Sequence, residues 1–271
     1  MGTVQATRRG LASLIRVTNP LAAGSLAGKH ALVTGSSRGI GADTARYLAA
    51  AGAEVWINYR SKAPRAEKLV AEIEAAGGTA HALGADLTDE ASVAALVTAV
   101  LRVTPSLDIL VLNASGGMES DRGEDYAMKL NRDAQVSFLQ ALRPLVAEAK
   151  GRVVFVTSHQ AHFIRTTPTM PEYEPVARSK RAGEDALREL IPSLEGQGID
   201  FVVVSGDMIE GTITATLLER ANPGAIASRR ESAGKLYNVS EFAAEVARAA
   251  IEPIPADHTR LIGDTSSFGE A

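Results

Sequence analysis

The chain has 271 residues, 45% of them hydrophobic and 22% charged, with a formal net charge of −4. That length suits one large core, and the mild acidity offers no electrostatic footing for nucleic acid or an anionic membrane as a partner. The absence of cysteine excludes disulfides, thiolate nucleophiles and cysteine metal sites, no apolar run is long enough for a membrane span, and cytoplasmic small-molecule chemistry is the expectation.

Residues 1–28 carry Arg8, Arg9 and Arg16 with no acidic residue, around Leu11, Leu14, Ile15 and Val17. They read as an N-terminal extension that packs on the domain or on a neighbouring subunit, in preference to a targeting segment, because a secretory signal needs a longer apolar core. Residues 29–271 read as one domain. Its first element is Ala31-Leu-Val-Thr-Gly-Ser-Ser-Arg-Gly-Ile-Gly41, an apolar strand that breaks into a glycine turn and continues with helical periodicity. Gly35 makes the turn after the strand, Gly39 lets backbone approach a pyrophosphate, and Gly41 lets the helix pack on the sheet. The helix start then offers unpaired N–H groups to an anion, a dinucleotide site needing no lysine.

Ile40, Ala45, Leu48 and Ala49 carry the apolar face of that helix to Gly52, and Glu54–Asn58 is the second strand. The following Asn58-Tyr59-Arg60-Ser61 has no acidic group for a ribose 2′-hydroxyl. A 2′-phosphate suits it better, with Arg38 and Arg60 flanking the phosphate, so NADP(H) is preferred over NAD(H); the plainer alternative is two solvated arginines. An amphipathic helix over 62–76 precedes a strand at Ala80–Leu83 and the loop Ala85-Asp-Leu-Thr-Asp89, where Asp89 or Thr88 can cap a helix over Ala91–Val103. Leu107–Asn113 is an apolar strand of the kind buried on both faces, and Ala114 and Ser115 open the next loop.

A long helix is expected from Glu124 to Ala149, with Asn131 an oddity in its middle. Gly151–Ser158 is a fifth strand, followed by His159, His162 and a proline-bearing loop. A helix over Val176–Leu190, a strand over Ile199–Gly206, a helix capped by Ser240 and a last strand over Arg260–Gly263 complete the chain. Alternating strands and helices give an α/β, Rossmann-like, doubly wound parallel sheet. Its ligand edge, outside the strands' carboxyl ends, takes in Gly35–Gly41, Asn58–Ser61, Asp86, Asn113, Ser158 and Gly206.

With these motifs in this order, Leu26 to Gly263 resembles the short-chain dehydrogenase/reductase family, in the NADP-dependent style of the ketoacyl-carrier-protein reductases. The matching pieces are Thr34–Gly41, which contains Ser37, Arg38 and Ile40; Asn58–Ser61; Asp86-Leu87; Asn113-Ala114; Asn131; Ser158; and Lys180. The resemblance implies hydride transfer between a nicotinamide and a carbonyl or alcohol. Asp86 and Leu87 would border the adenine, Asn113 and Ala114 the cofactor backbone, and Asn131 would shape the long helix around a water beside the lysine. Lys180 would hold the ribose, Ser158 the substrate oxygen, and a tyrosine four residues before the lysine would give the proton. It also implies a homo-oligomer, a dimer or tetramer, pairing the two long helices. No metal is called for.

The position four before Lys180 is Val176, which has no proton to give. The nearest tyrosine, Tyr173, lies in the preceding loop. Three explanations stand open: Tyr173 reaches in; His159, His162 or water supplies the proton; or reduction has been lost, leaving a silent NADP(H)-binding sensor or scaffold. Ser115 replaces a usual glycine, Ser205-Gly206 the usual Pro-Gly, and Glu210 a threonine that often contacts the nicotinamide amide, with Thr212 as a substitute.

Overall fold

The computed structural model describes residues 19–118 and 125–269. Most of the expected N-terminal extension and the start of the long helix at Glu124 lie outside the described residues. Seven strands form one sheet: β1 His30–Val33, β2 Glu54–Tyr59, β3 Thr79–Gly84, β4 Ile109–Leu112, β5 Arg152–Ser158, β6 Asp200–Gly206 and β7 Thr259–Ile262. Their order is β3-β2-β1-β4-β5-β6-β7 and every pair is parallel. The chain winds outward from β1 to β3 and then returns to add β4 on the other side. A crevice therefore opens at the carboxyl ends of β1 and β4.

The connecting helices are α1 Gly39–Ala50, α2 Ala63–Ala75, α3 Glu90–Leu101, α4 Tyr126–Met128, α5 Ala134–Ala149, α6 His159–His162, α7 Glu174–Arg188, α8 Ile191–Glu195, α9 Ile213–Ala221, α10 Ala225–Ala233 and α11 Val239–Ala249. Both faces of the sheet are covered, which is why β4 is apolar at every position and wholly buried. On one face Val33, Ile57, Val111 and Val202 pack against α1, α2 and α11; on the other Leu32, Trp56, Leu110 and Phe155 meet Phe138 and Leu142 of α5. Leu21 and Leu26 are buried against the first of these cores. Among the described residues no helix is long and apolar enough to cross a membrane.

Three local expectations are corrected. The cap of α11 is Asn238, not Ser240: the Asn238 side chain accepts from the Glu241 amide and the Glu241 carboxylate accepts from the Asn238 amide. That reciprocal box satisfies two helix-start donors where Ser240 would satisfy one, and Ser240 Oγ instead lies 2.6 Å from the Tyr47 hydroxyl. Helix α7 begins at Glu174, with Pro175 in its first turn where a missing N–H costs nothing, so Tyr173 is its cap residue. The long helix is not continuous α: Lys129–Asp133 is a π turn containing Asn131. Of the two residues expected as the cap of α3, Asp89 fills the position, accepting from Ala91 N, in line with the expectation.

Candidate active site

A cleft of about 570 Å³ runs along the sheet's carboxyl edge, from Arg38, Arg60, Lys62 and Arg65 at one end to Ser158, Tyr173 and Lys180 at the other. Gly35 and Gly39 both take positive φ, +60° and +59°, a region open to glycine without steric cost. A Cβ on Gly35 would stand 3.0 Å from Ala114 Cα, so β4's loop packs directly on the turn. A Cβ on Gly39 would meet nothing within 4 Å and would project into open space. At Gly41 a Cβ would lie 2.6 Å from Asn113 Nδ2 and 2.8 Å from Ser36 Cα, which fits its reading as the glycine of helix–sheet packing. Among the described residues no side chain caps the start of α1. Its leading N–H groups are left to solvent or to an anion.

Buried side chains fix this turn from behind. Asn58 Oδ1 accepts from Gly35 N at 3.2 Å, and its Nδ2 donates to Leu83 O and Ala85 O. Thr34 Oγ1 donates to Val111 O and accepts from the amides of Asn113 and Ala114. Asn113 Nδ2 donates back to Thr34 O at 2.9 Å. Asn58 and Asn113 line the cleft, yet their polar atoms hold the turn together.

At the basic end the Arg60 guanidinium donates to the Tyr126 hydroxyl and lies over the Tyr126 ring, 5.8 Å from its centroid. Ser37, Ile40, Tyr59, Ser61, Asp86, Leu87, Ala114 and Ser115 line the intervening wall. Asp86 Oδ1 accepts from both the amide and the hydroxyl of Thr88, at 2.9 and 2.7 Å, so it also shapes its own loop.

At the other end the Tyr173 hydroxyl lies 3.0 Å from Ser158 Oγ. Ser158 Oγ also accepts from Ala161 N as the cap of α6. Tyr173 is 5% exposed, and burial raises its phenol pKa, partly offset by the Ser158 bond. Lys180 lines the cleft and makes no hydrogen bond or ion pair to another described residue. Burial pulls its ammonium down to about 8, against the upward pull of the Glu184 carboxylate one helical turn on. Glu184 is fully buried, held by His162 Nδ1 at 2.8 Å and Arg188 Nε at 2.9 Å. Burial works against its charge, but the His162 and Arg188 contacts outweigh it and hold the carboxyl pKa below the ordinary value.

The other candidates are placed elsewhere. Neither His159 nor His162 lines the cleft: His159 Nδ1 pairs with Ser205 Oγ at 2.8 Å, and His162 is spent on Glu184. Val176 is buried in a small apolar cluster with Ala177, Met208 and Leu218. Asn131 lies behind the wall, where its amide clamps Gly116 through both backbone groups and donates to Ser179 Oγ at 2.9 Å. The π turn brings the Asn131 carbonyl so close to α7 that a Cβ on Gly183 would collide with it. Gly206 does not line the cleft either; a Cβ there would collide with the Phe242 ring, which explains the glycine by packing. Thr212 lines the cleft, but its hydroxyl caps α9 by accepting from Ala215 N and donates to Ile209 O. Glu210 is paired with Arg230.

Sequence reasoning missed Lys62, Arg65, Tyr126, Gln160, Asp207 and Met208, all lining the cleft. Two had a signal: Asp207 follows the carboxyl end of β6 directly, and Gln160 stands two residues past Ser158. Tyr126 had none, because its contact with Arg60 joins positions far apart in the chain.

The family model for short chain dehydrogenases matches residues 29–222. A short chain dehydrogenase/reductase, nsrJ, of Aspergillus novofumigatus is 34% identical over 204 residues, 73% of this chain and 74% of that protein. The 1-cyclohexenylcarbonyl-CoA reductase of Streptomyces collinus is 33% identical over 188 residues, 66% of this chain and 64% of that protein. Among solved structures, a short chain dehydrogenase from Burkholderia cenocepacia in complex with NADP is 33% identical, with a TM-score of 0.70, covering 83% of this chain and 91% of that one.

Proposed function

The chain belongs to the short-chain dehydrogenase family, and from that premise we propose that it is an NADP(H)-dependent reductase that interconverts a carbonyl and an alcohol, with Tyr173 as the proton donor. The observation that carries the reading is the Tyr173–Ser158 pair, 3.0 Å apart, on the cleft that also holds Lys180. The residues present fit a dinucleotide. Gly39 leaves open space where a side chain would stand, the start of α1 is uncapped, and Lys180 has its donors available. Arg38 and Arg60, with Lys62 and Arg65 beside them, supply positive charge suited to a 2′-phosphate. NADPH bound in this cleft supplies the hydride for a carbonyl carbon.

The chain's own groups supply the rest. Lys180 holds ribose hydroxyls through its ammonium, and its positive charge favours the phenolate left when Tyr173 gives up its proton. Ser158 Oγ donates to the substrate oxygen and fixes it within reach of the Tyr173 hydroxyl, where the negative charge develops. The Tyr173 O–H bond breaks as the new O–H bond forms, which yields the alcohol. Asn131 acts by position, its amide tying the Gly116 backbone to Ser179, the residue before Lys180. Buried at 5% exposure, the phenol is shielded from bulk water, which strengthens each of these interactions.

The catalytically silent alternative rests on Val176, which removes the family's usual donor. Titration of the purified protein with NADPH and NADH, followed by a carbonyl panel read at the nicotinamide absorbance, separates the two. NADPH binding with turnover is expected; binding without turnover of any carbonyl favours the sensor, and failure to bind either cofactor removes both. Self-association through α5 and α7 is part of the same proposal, tested by sedimentation velocity.

A further inference from the structure

The substrate end of the cleft is mostly apolar. Met208, Ala215, Leu218 and the Tyr173 ring form its wall, the Thr212 hydroxyl is spent on capping α9, and Thr214 is exposed at the rim. Gln160 is the exception. It lines the same cleft two residues beyond Ser158, in the single turn of α6.

Its amide is oriented by Asp207. The register that pairs Ser158 with Gly206 sets Asp207 alongside α6. Asp207 is buried, and its carboxylate accepts from Met208 N at 2.7 Å and from Arg229 Nε at 3.0 and 2.8 Å. Arg229 is itself held in place, over the Phe268 ring at 4.9 Å and against Ser267 Oγ at 2.6 Å. An ionised carboxylate can only accept hydrogen bonds, so the Gln160 group 3.1 Å from it must be the NH₂. Turning the amide over would set two oxygens against each other. The carbonyl Oε1 is thereby left as an acceptor with no partner among the described residues. The Asp207 charge is meanwhile matched by Arg229, so it presents no net charge to a substrate.

We propose that Gln160, oriented by the Asp207–Arg229 pair, is a specificity-determining residue that selects carbonyl substrates carrying a hydroxyl on an otherwise apolar skeleton. The inference rests on the reductase reading above and names its substrate class. A hydroxyl donates to Oε1, whereas a substrate lacking it leaves Oε1 unpaired once water is expelled, and sites that bind a substrate hydroxyl discriminate against the analogue without one.

The test is a comparison of kcat/KM for matched ketones with NADPH: cyclohexanone against its α-hydroxy derivative, and tetralone against its ring-hydroxylated derivatives. The wild-type protein is expected to favour the hydroxylated member of at least one pair by about tenfold. Gln160→Met, which keeps the volume and removes the acceptor, should bring that ratio to about one. Asp207→Asn, which lets the amide turn either way, should reduce it partway. A general loss of structure lowers both rates of a pair together and leaves their ratio in place. Turnover with no preference in the wild type, or a preference that survives Gln160→Met, overturns this inference alone. No turnover of either member of any pair overturns the reductase reading and this inference with it.

Discussion

The Tyr173 hydroxyl sits 3.0 Å from Ser158 Oγ although Tyr173 precedes Lys180 by seven positions, not the four of one helical turn. The start of α7 at Glu174 makes this possible. It leaves Tyr173 at the cap in right-handed helical backbone, with its carbonyl accepting from Ala177 N, two helical turns before Lys180 and so on the same face of the helix. Val176, meanwhile, is turned into the apolar cluster beside Gly117. On the proposed reading the phenol acts from the helix cap.

Tyr173→Phe is the first test of that arrangement. Removing a positioned general acid costs about 10²–10⁴ in rate, so kcat for ketone reduction should fall within that range while NADPH affinity changes far less. His159→Gln, on a side chain outside the cleft, should cost much less in kcat. Single-turnover absorbance measurements on both variants check the assignment; the reverse ranking would return the proton to the histidine.

Arg60 should discriminate between cofactors. Its guanidinium is held at the cleft mouth by the Tyr126 ring and hydroxyl, at a site with surplus positive charge from Lys62 and Arg65. A charge-assisted hydrogen bond to a phosphate contributes about 1.5–3 kcal/mol. Arg60→Ala is therefore expected to weaken NADPH by roughly tenfold or more and NADH by little. Fluorescence titration with both cofactors reads the ratio directly, and equal weakening of the two would remove Arg60 from 2′-phosphate recognition.

The pH dependence of turnover should report Lys180. Burial brings its pKa down to about 8, and the Glu184 carboxylate opposes that fall. On the proposed mechanism the working form is the cation, so kcat/KM should be full below that pH and should decline as Lys180 loses its proton above it. Glu184→Gln removes the opposing negative charge and should move the alkaline limb to lower pH; Asp185→Asn, on the same helix, should not. Profiles that superimpose for wild type and Glu184→Gln would show that the limb belongs to another group.

Much of the fold and the glycine-turn end of the cleft was legible in the sequence, because both are written in local patterns. Apolar strands such as β4 and β5, and the glycines at 35, 39 and 41, are read from composition and spacing alone. The substrate half resisted for the opposite reason. Tyr173 meets Ser158, Arg60 meets Tyr126 and Gln160 meets Asp207 only after the sheet register is set, and no spacing along the chain encodes those distances. The π turn at Lys129–Asp133 was hidden as well, since the apolar repeat around Leu130 and Ala134 fits a plain helix equally well. Gly206 shows the converse error: a strand-end glycine at the ligand edge suggested the cofactor, and the Phe242 ring accounts for it.

His159 should make the fold acid-sensitive. Its ring is fully buried between Phe163 and Phe268, its Nδ1 is taken by Ser205, and its Nε2 makes no hydrogen bond of normal geometry among the described residues. Burial, with His162 and Arg229 nearby, pulls its pKa down to about 4 from 6.5, against the opposing pull of the Ile262 backbone and Asp264. The native state thus binds this proton less tightly than the unfolded chain does. The resulting stabilisation is complete above the unfolded value and is lost as pH falls from there toward the native one. The difference corresponds to roughly 3 kcal/mol as an upper figure. Urea unfolding at neutral pH and again near the native pKa should show the wild type losing stability on that order. His159→Gln, which has no proton to gain, should start less stable through lost packing yet lose less between the two conditions. Equal losses in the two proteins would place the acid sensitivity elsewhere, with the carboxylates of the ion pairs next in line.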